Sequence, residues 1–240
     1  MGAIYLVRHG QASFGSRDYD QLSAMGAAQS QMLGHWLRQT DAKAERLFCG
    51  TLRRHHQTAQ ACLAAWHDQP ALTIQHNPAF DEFNHQEILI RAHPQFAEAG
   101  YLEGFLRQKS DHQDGGPNDS RRAFQKVFSD SVNRWVSGQH DHEYQESWPA
   151  FRNRCVAGLT QIRDLRTDND VWIFTSGGPI AAMVGHVLGA DDACILDLNW
   201  SILNSSVTAL LPARNRFLLH QFNSIAHLAL ARRSDLVTYR

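Results

Sequence analysis

The sequence predicts a three-layer α/β fold with a mostly parallel central sheet flanked by helices. Strand-like apolar runs alternate with amphipathic helical segments in both the first and the last third of the chain, which is the pattern of a parallel α/β sheet. Apolar residues make up 43% of the 240 residues, enough for a sizeable core. We therefore expect a single α/β domain spanning residues 1–240.

The first third of the chain contains three predicted strands and two predicted helices. The apolar run 3–7 predicts a buried strand close to the N-terminus. Ser23 is a suitable helix N-cap, and apolar residues recur at helical spacing after it: Met25, Ala28, Met32, Leu33, Trp36 and Leu37. Residues 44–50 predict a second strand, residues 52–67 a second helix and residues 72–74 a third strand.

The strand–helix pattern weakens in the middle of the chain. Helical pieces at 87–92 and 121–136 surround a polar, glycine-containing segment at 109–119, for which we expect a mobile loop. We interpret residues 83–145 as an insertion without a separate core of its own. We expect its helices and loops to form a cap over the functional site of the sheet.

The alternation returns in the last third of the chain. Residues 148–168 predict a helix, residues 170–175 an apolar strand and residues 180–188 another helix. Two further strands, 206–211 and 216–222, lie close enough together to form an antiparallel hairpin at the edge of the sheet.

Charge and hydropathy exclude several classes of partner. The formal net charge of −1 provides no overall attraction to nucleic acid or to an acidic membrane. No apolar run approaches the ~20 residues of a membrane span, and the first residues lead straight into a strand, so we expect no signal peptide and a cytoplasmic location. The sequence leaves the oligomeric state open.

The cysteines and histidines predict neither a disulfide framework nor a metal site. The four cysteines lie far apart without CxxC spacing: Cys49, Cys62, Cys155 and Cys194. The 14 histidines are scattered, and the local pairs lack further ligands at typical metal spacing. We therefore expect reduced thiols, no metal ion and no cofactor.

Three predicted strand ends carry residues that suit an anion. The first strand ends at Arg8, His9 and Gly10, the second leads into residues 51–58, which contain arginines at the start of a helix, and a third leads into residues 175–178. The carboxyl ends of parallel strands face one crevice, and helix N-termini favour anions. These residues predict a pocket for a dianion; the alternative is three unrelated polar loops with solvated arginines.

Two carboxylates follow the third predicted strand. Asp81 and Glu82 lie near the same rim of the sheet. A carboxylic acid there can protonate a leaving oxygen when its environment raises its pKa. The alternative is an ordinary surface loop.

With these residues the chain resembles the histidine phosphatase superfamily, in its phosphoglycerate mutase-like branch. Five motifs carry the resemblance in order: Leu6-Val7-Arg8-His9-Gly10; Asp20-Gln21-Leu22-Ser23 with Gly26 and Gln29; Leu52-x-Arg54-x-x-Gln57-Thr58-Ala59; Phe80-Asp81-Glu82-Phe83; and Asn204-Ser205-Ser206-Val207-Thr208. The resemblance implies that His9 is transiently phosphorylated, that Arg8 and Arg54 bind phosphate, and that Glu82 is the proton donor. It also implies that no metal is required.

The chain departs from the family pattern at two places. The family usually has a second histidine at the end of its central strand, where this chain has Ser176. We assign Ser176 and Gly177 to phosphate binding, and expect the missing donor to be replaced by N–H groups of Gly177 and Gly178 or by a histidine such as His85. Residues 15–16 (Gly-Ser) stand where many relatives have an asparagine.

The hypothesis that follows is a metal-independent phosphatase acting on a small phosphomonoester through a phosphohistidine on His9, slowed by the serine at position 176. The first alternative is a catalytically impaired phosphate-site protein that binds a phosphorylated ligand or a protein partner. A phosphomutase is less favoured, because holding a phosphoryl group between two substrates needs a tightly closed pocket with a complete set of phosphate ligands, and this chain lacks one of them. The expected partner is a small phosphorylated substrate or inorganic phosphate.

Overall fold

The computed structural model describes residues 2–13, 20–66, 72–102, 104–105, 117–231 and 234–239. The predicted loop at 109–119 lies outside these residues up to position 116, and so do residues 15–16. The chain divides into two compact units, one comprising Met1–Glu82 with Arg152–Arg240 and the other Phe83–Phe151. The function of the second unit as a cap stays a prediction.

A six-stranded mixed sheet organises the first unit, in the order β3-β2-β4-β1-β5-β6. Its strands are β1 (Ile4–Arg8), β2 (Arg46–Cys49), β3 (Ile74–His76), β4 (Val171–Thr175), β5 (Val207–Pro212) and β6 (Phe217–Ser224). The first four strands pair in parallel, and β5 and β6 add antiparallel pairs at one edge. This sheet confirms the predicted α/β class and the C-terminal hairpin.

The register of the parallel strands aligns their carboxyl ends. Val7 and Cys49 both pair with Phe174 of β4, and Cys49 also pairs with His76 of β3. The residues that follow these positions therefore emerge side by side at one edge of the sheet. This alignment decides which side chains can meet.

The described helices are, in chain order, α1 (Ala24–Gln39), α2 (Arg53–Ala65), α3 (His85–Ala92), α4 (Pro117–Val136), α5 (Trp148–Asp164), α6 (Gly177–Leu188), α7 (Asp192–Ser201) and α8 (Ala226–Ala229). Of these, α3 and α4 belong to the second unit, and α5 begins there and continues into the first unit. Among the described residues, no helix has the length and apolar character needed to cross a bilayer.

A buried cluster joins α1 and α2 to one face of the sheet. Its members are apolar and come from β1, β2, β4, β5 and the two helices: Val7, Leu33, Leu37, Leu47, Ala59, Cys62, Trp66, Trp172 and Phe174 are among them. Gly34 of α1 lies so close to the Cys62 carbonyl that a Cβ would approach its oxygen to 2.1 Å. This close packing fixes α2, and with it the residues at its N-terminus.

The second unit contains its own aromatic cluster. Trp135 contacts Phe83, Trp148 and Phe151 with ring centroids 5.1–5.7 Å apart. Arg134 holds both oxygens of Glu143 at 2.7 and 2.8 Å.

Candidate active site

His9 follows β1 and is held by backbone bonds on two sides. Its N–H donates to the Thr175 carbonyl at 2.8 Å. Its carbonyl accepts from the Ser205 N–H at 3.2 Å and from the Asn204 side-chain amide at 3.3 Å. The late motif that contains Asn204 therefore fixes the backbone of the histidine.

The His9 ring has one tautomer that its surroundings favour. Nδ1 lies 2.7 Å from the Gly10 carbonyl oxygen; because a carbonyl only accepts, Nδ1 carries the hydrogen and Nε2 keeps its lone pair. The side chain is only 4% exposed. Burial, followed by the charges of Arg54 and Arg8, holds the pKa of His9 well below its ordinary value. His9 is thus neutral near pH 7, as a nucleophile must be.

Arg54 lies in the first turn of α2 and is equally buried, at 4% exposed. Its Nη1 donates to Oδ1 of Asp20 at 2.8 Å. Leu52 cannot cap the helix with its side chain, and Asp20 instead accepts from the Arg53 and Arg54 N–H groups at 2.9 and 3.4 Å. Asp20 thereby caps α2 and orients the Arg54 guanidinium.

Two further residues of the second arginine motif tie α2 to the segment after β1. The Thr58 hydroxyl oxygen accepts from the Gly10 N–H at 3.1 Å, and the same hydroxyl donates to the Arg54 carbonyl at 2.8 Å. Gln57 accepts from the Leu22 N–H at 2.8 Å. Gln57 and Thr58 of this motif therefore both bind backbone N–H groups of the segment that follows β1.

Arg8 and Gly177 lie next to each other. The Arg8 Nη1 donates to the Ile202 carbonyl. A Cβ built on Gly177 would be 3.8 Å from Arg8 Nε and 3.0 Å from Asn199 Oδ1. The absence of a side chain at Gly177 thus lets the start of α6 approach the guanidinium.

Ser176 is paired with a histidine that the sequence analysis did not select. Ser176 is fully buried, and its Oγ lies 2.6 Å from Nε2 of His55, which is also fully buried. The His55 and His9 ring centroids are 5.8 Å apart. Burial, with the Arg54 charge as a second cause, holds the pKa of His55 well below its ordinary value. The end of the central strand therefore does have a histidine beside it, contributed by α2.

A detail of the sequence could have pointed to His55. It directly follows Arg54 in the helix start that was recognised as phosphate-binding. Adjacent helical residues point about 100° apart, so their side chains face different strand ends. His85, the histidine that we expected to replace the missing donor, lies in the second unit.

Glu82 stands at the N-terminus of α6. Its Oε2 accepts from the Gly178 N–H at 3.2 Å, while Ser176, the N-cap residue, makes no capping bond with its side chain. Neighbouring Asp81 accepts from both the N–H and the hydroxyl of Thr51. The two carboxylates therefore have different partners, and Glu82 is the one bonded to the first turn of α6.

The first unit thus holds every residue that the sequence analysis assigned to the site: Arg8, His9, Arg54, Glu82, Ser176 and Gly177. The guanidinium groups of Arg54, which is buried, and Arg8, which is partly buried, suit a dianion. The neutral imidazole of His9, on which both guanidinium charges act, can attack an electrophilic phosphorus atom. The catalytic roles of these residues stay predictions.

Fold and site together define an α/β protein in which two arginines act electrostatically on a buried histidine. Its family is shown by a comparison of the sequence with family models. The family model of the histidine phosphatase superfamily (branch 1) matches residues 4–142 and 117–225. The chain belongs to this superfamily. No curated protein gives a significant match to the chain.

Solved structures from several organisms share the fold. A phosphoglycerate mutase from Bacillus anthracis is 15% identical, with a TM-score of 0.63 and 97% of each chain covered. An α-ribazole phosphatase from Shigella flexneri is 17% identical, with a TM-score of 0.60, covering 93% of this chain and 97% of its own. A phosphoserine phosphatase from Entamoeba histolytica is 15% identical, with a TM-score of 0.59, covering 95% of this chain and 100% of its own. The fold is therefore phosphoglycerate mutase-like.

Proposed function

We propose that this protein is a phosphatase that hydrolyses a small phosphomonoester through a phosphohistidine on His9. The observation that carries the proposal is the His9 ring, which is buried and neutral, with Nδ1 bonded to a carbonyl and both arginines acting on it electrostatically. Membership of the histidine phosphatase superfamily supports it.

In the first step, the lone pair of His9 Nε2 attacks phosphorus, and a P–N bond forms as the bond to the leaving oxygen breaks. Arg8 and Arg54 neutralise the phosphoryl oxygens, which is the main source of catalysis in such transfers. The Gly10 carbonyl stabilises the positive charge that develops on the imidazole ring. Because guanidinium groups supply the charge, we propose a metal-independent reaction.

Glu82 is the proposed acid and base. In its protonated form it donates a proton to the leaving oxygen. Its carboxylate then takes a proton from the water that attacks the phosphohistidine, which releases inorganic phosphate and restores neutral His9. Its bond to the Gly178 N–H, in the first turn of α6, supports this role.

Ser176 and His55 together replace the second histidine of the family. With hydrogen on Nε2, His55 donates to the Ser176 oxygen at 2.6 Å, and the serine hydroxyl can then donate to a phosphoryl oxygen. His55 is in this arrangement a positioning residue, since it acts through Ser176. A preorganised donor of this kind contributes roughly 10²–10³ in rate, so the serine does not abolish turnover.

The proposal extends to partners and location. The pocket takes a small phosphorylated substrate or inorganic phosphate, and we propose that the protein acts in the cytoplasm without nucleic acid or membrane.

The test compares wild type with His9→Ala on p-nitrophenyl phosphate and a panel of sugar phosphates, from pH 5 to 8. We expect the variant to lose activity by about 10⁴-fold or more, as removal of a nucleophile does, and wild type to yield an acid-labile, base-stable phosphoprotein. His35→Ala, at an exposed position of α1, is the matched control and should retain full activity.

Two outcomes would overturn the proposal. Phosphate binding without turnover above His9→Ala would identify a phosphate-binding protein instead. Transfer of the phosphoryl group to a second substrate without release of phosphate would identify a mutase.

A further inference from the structure

We propose that Cys49, His56 and His76 form a binding site for Zn²⁺, separate from the pocket that contains His9. Each of the three residues offers one ligand atom, and these atoms all lie within 4.8 Å of one another. Thiolate and imidazole are the ligands that zinc prefers in proteins. The site goes beyond the proposed phosphatase reaction, which does not use it.

The fold fixes two of the ligands through backbone pairing. Cys49 and His76 are direct partners in the parallel pairing of β2 and β3, so their side chains leave the same face of the sheet at the same level. The Cys49 Sγ and His76 Nδ1 atoms are 3.4 Å apart. Two ligands of a tetrahedral zinc ion, at the usual Zn–S and Zn–N lengths, lie about 3.5 Å apart.

The third ligand comes from the first turns of α2. The His56 ring stacks on the His76 ring with centroids 5.0 Å apart. Its Nδ1 is buried and has no hydrogen-bond partner among the described residues. A buried nitrogen without a partner is costly, and coordination of a cation at this position would satisfy it.

The surroundings suit a cation that enters from solvent. Cys49 is buried, His56 is partly buried and His76 is exposed, so the cluster opens on one side. On binding, the thiol proton passes to solvent and a sulfur–zinc bond forms, while a water takes the fourth position.

The three residues are separate from His9 and His55. His55 directs its Nε2 to Ser176, whereas the adjacent His56 stacks on His76. A zinc ion bound by Cys49, His56 and His76 would therefore leave the His9 lone pair in place.

The experiment titrates metal-free, full-length protein with Co²⁺, a spectroscopic substitute for Zn²⁺, and then displaces it with Zn²⁺. We expect one equivalent to bind, with a thiolate-to-cobalt charge-transfer band and the visible bands of tetrahedral coordination. Cys49→Ser should abolish the charge-transfer band. His76→Ala, which changes an exposed side chain and leaves the core intact, should raise the dissociation constant at least about tenfold.

Matched controls separate this site from others. Cys194→Ser removes an exposed cysteine elsewhere, and it should bind Co²⁺ as wild type does. His9→Ala should also retain the site. Absence of stoichiometric binding, an unchanged charge-transfer band in Cys49→Ser, unchanged affinity in His76→Ala, or loss of binding in His9→Ala would each overturn the proposal.

Discussion

Two adjacent histidines at the start of α2 have different surroundings. His55 is fully buried, with its Nε2 against Ser176 and its ring facing that of His9. His56 is only partly buried and stacks on His76 at the edge of the sheet. One helical turn thus presents the same side chain to two strand ends. Two side chains of the same type therefore have different chemistry, because each of them faces a different strand end.

The largest expected effect is the loss of catalytic activity when His55 is replaced. His55→Ala removes the partner that orients Ser176, and we expect kcat for p-nitrophenyl phosphate to fall by roughly 10²–10³-fold, with a smaller change in KM. His55→Gln, which can still donate to the serine, should recover part of the loss. The measurement is steady-state kinetics of folded variants, with His35→Ala as the control.

An equal loss in the alanine and glutamine variants would show that His55 acts by filling space. An activity unchanged in His55→Ala would remove it from the site altogether.

The next effect concerns the protonation of the buried nucleophile. For an imidazole with an ordinary pKa near 6.5, the neutral fraction falls about tenfold between pH 7.5 and pH 5.5. Because the pKa of His9 is held well below that value, we expect the rate of phosphohistidine formation to fall much less than tenfold over this range. Rapid-quench measurement of the phosphoprotein tests this.

A tenfold fall centred near pH 6.5 would contradict the described burial of His9. Repeating the experiment with Arg54→Lys, which keeps the positive charge, should leave the pH dependence nearly unchanged while lowering the rate.

The smallest effect extends the comparison to a third buried histidine, His227, whose Nε2 lies 2.9 Å from the Ser205 hydroxyl. Burial lowers the pKa of His227 to about 4. The unfolded chain, with a pKa near 6.5, therefore binds more protons than the folded chain between these values. The contribution of His227 to the free energy of unfolding is therefore fully present above pH 6.5, and it is lost as the pH falls toward 4.

For this residue we expect a loss of about 1 kcal/mol in the free energy of unfolding between pH 7.5 and 5.5. Urea denaturation of wild type and His227→Gln measures it, since glutamine keeps a hydrogen-bonding group but does not titrate. A pH dependence that is the same in both proteins would show that His227 does not contribute.

Much of the fold followed from hydrophobic patterning, and the deviations have local causes. The strands β1 and β4 are continuous apolar runs, and they occur where predicted. The third strand spans Ile74–His76 and not 72–74, because a short edge strand has exposed side chains and little apolar pattern. The helix α6 begins at Gly177, three residues before its predicted start, since a proline is compatible with the first turn of a helix.

The sequence by itself determined the α/β class, the family and the motif residues Arg8, His9 and Arg54, because hydrophobic period and ordered motifs are local properties of a chain. Only the tertiary structure decided that His55 stands beside Ser176 and that Asp20 caps α2. It also decided that Cys49, His56 and His76 meet, although their spacing along the chain matches no metal motif. The physical reason is the register of the parallel strands. This register aligns strand ends that are far apart in sequence. The start of α2, the helix that follows β2, therefore lies against two strand ends.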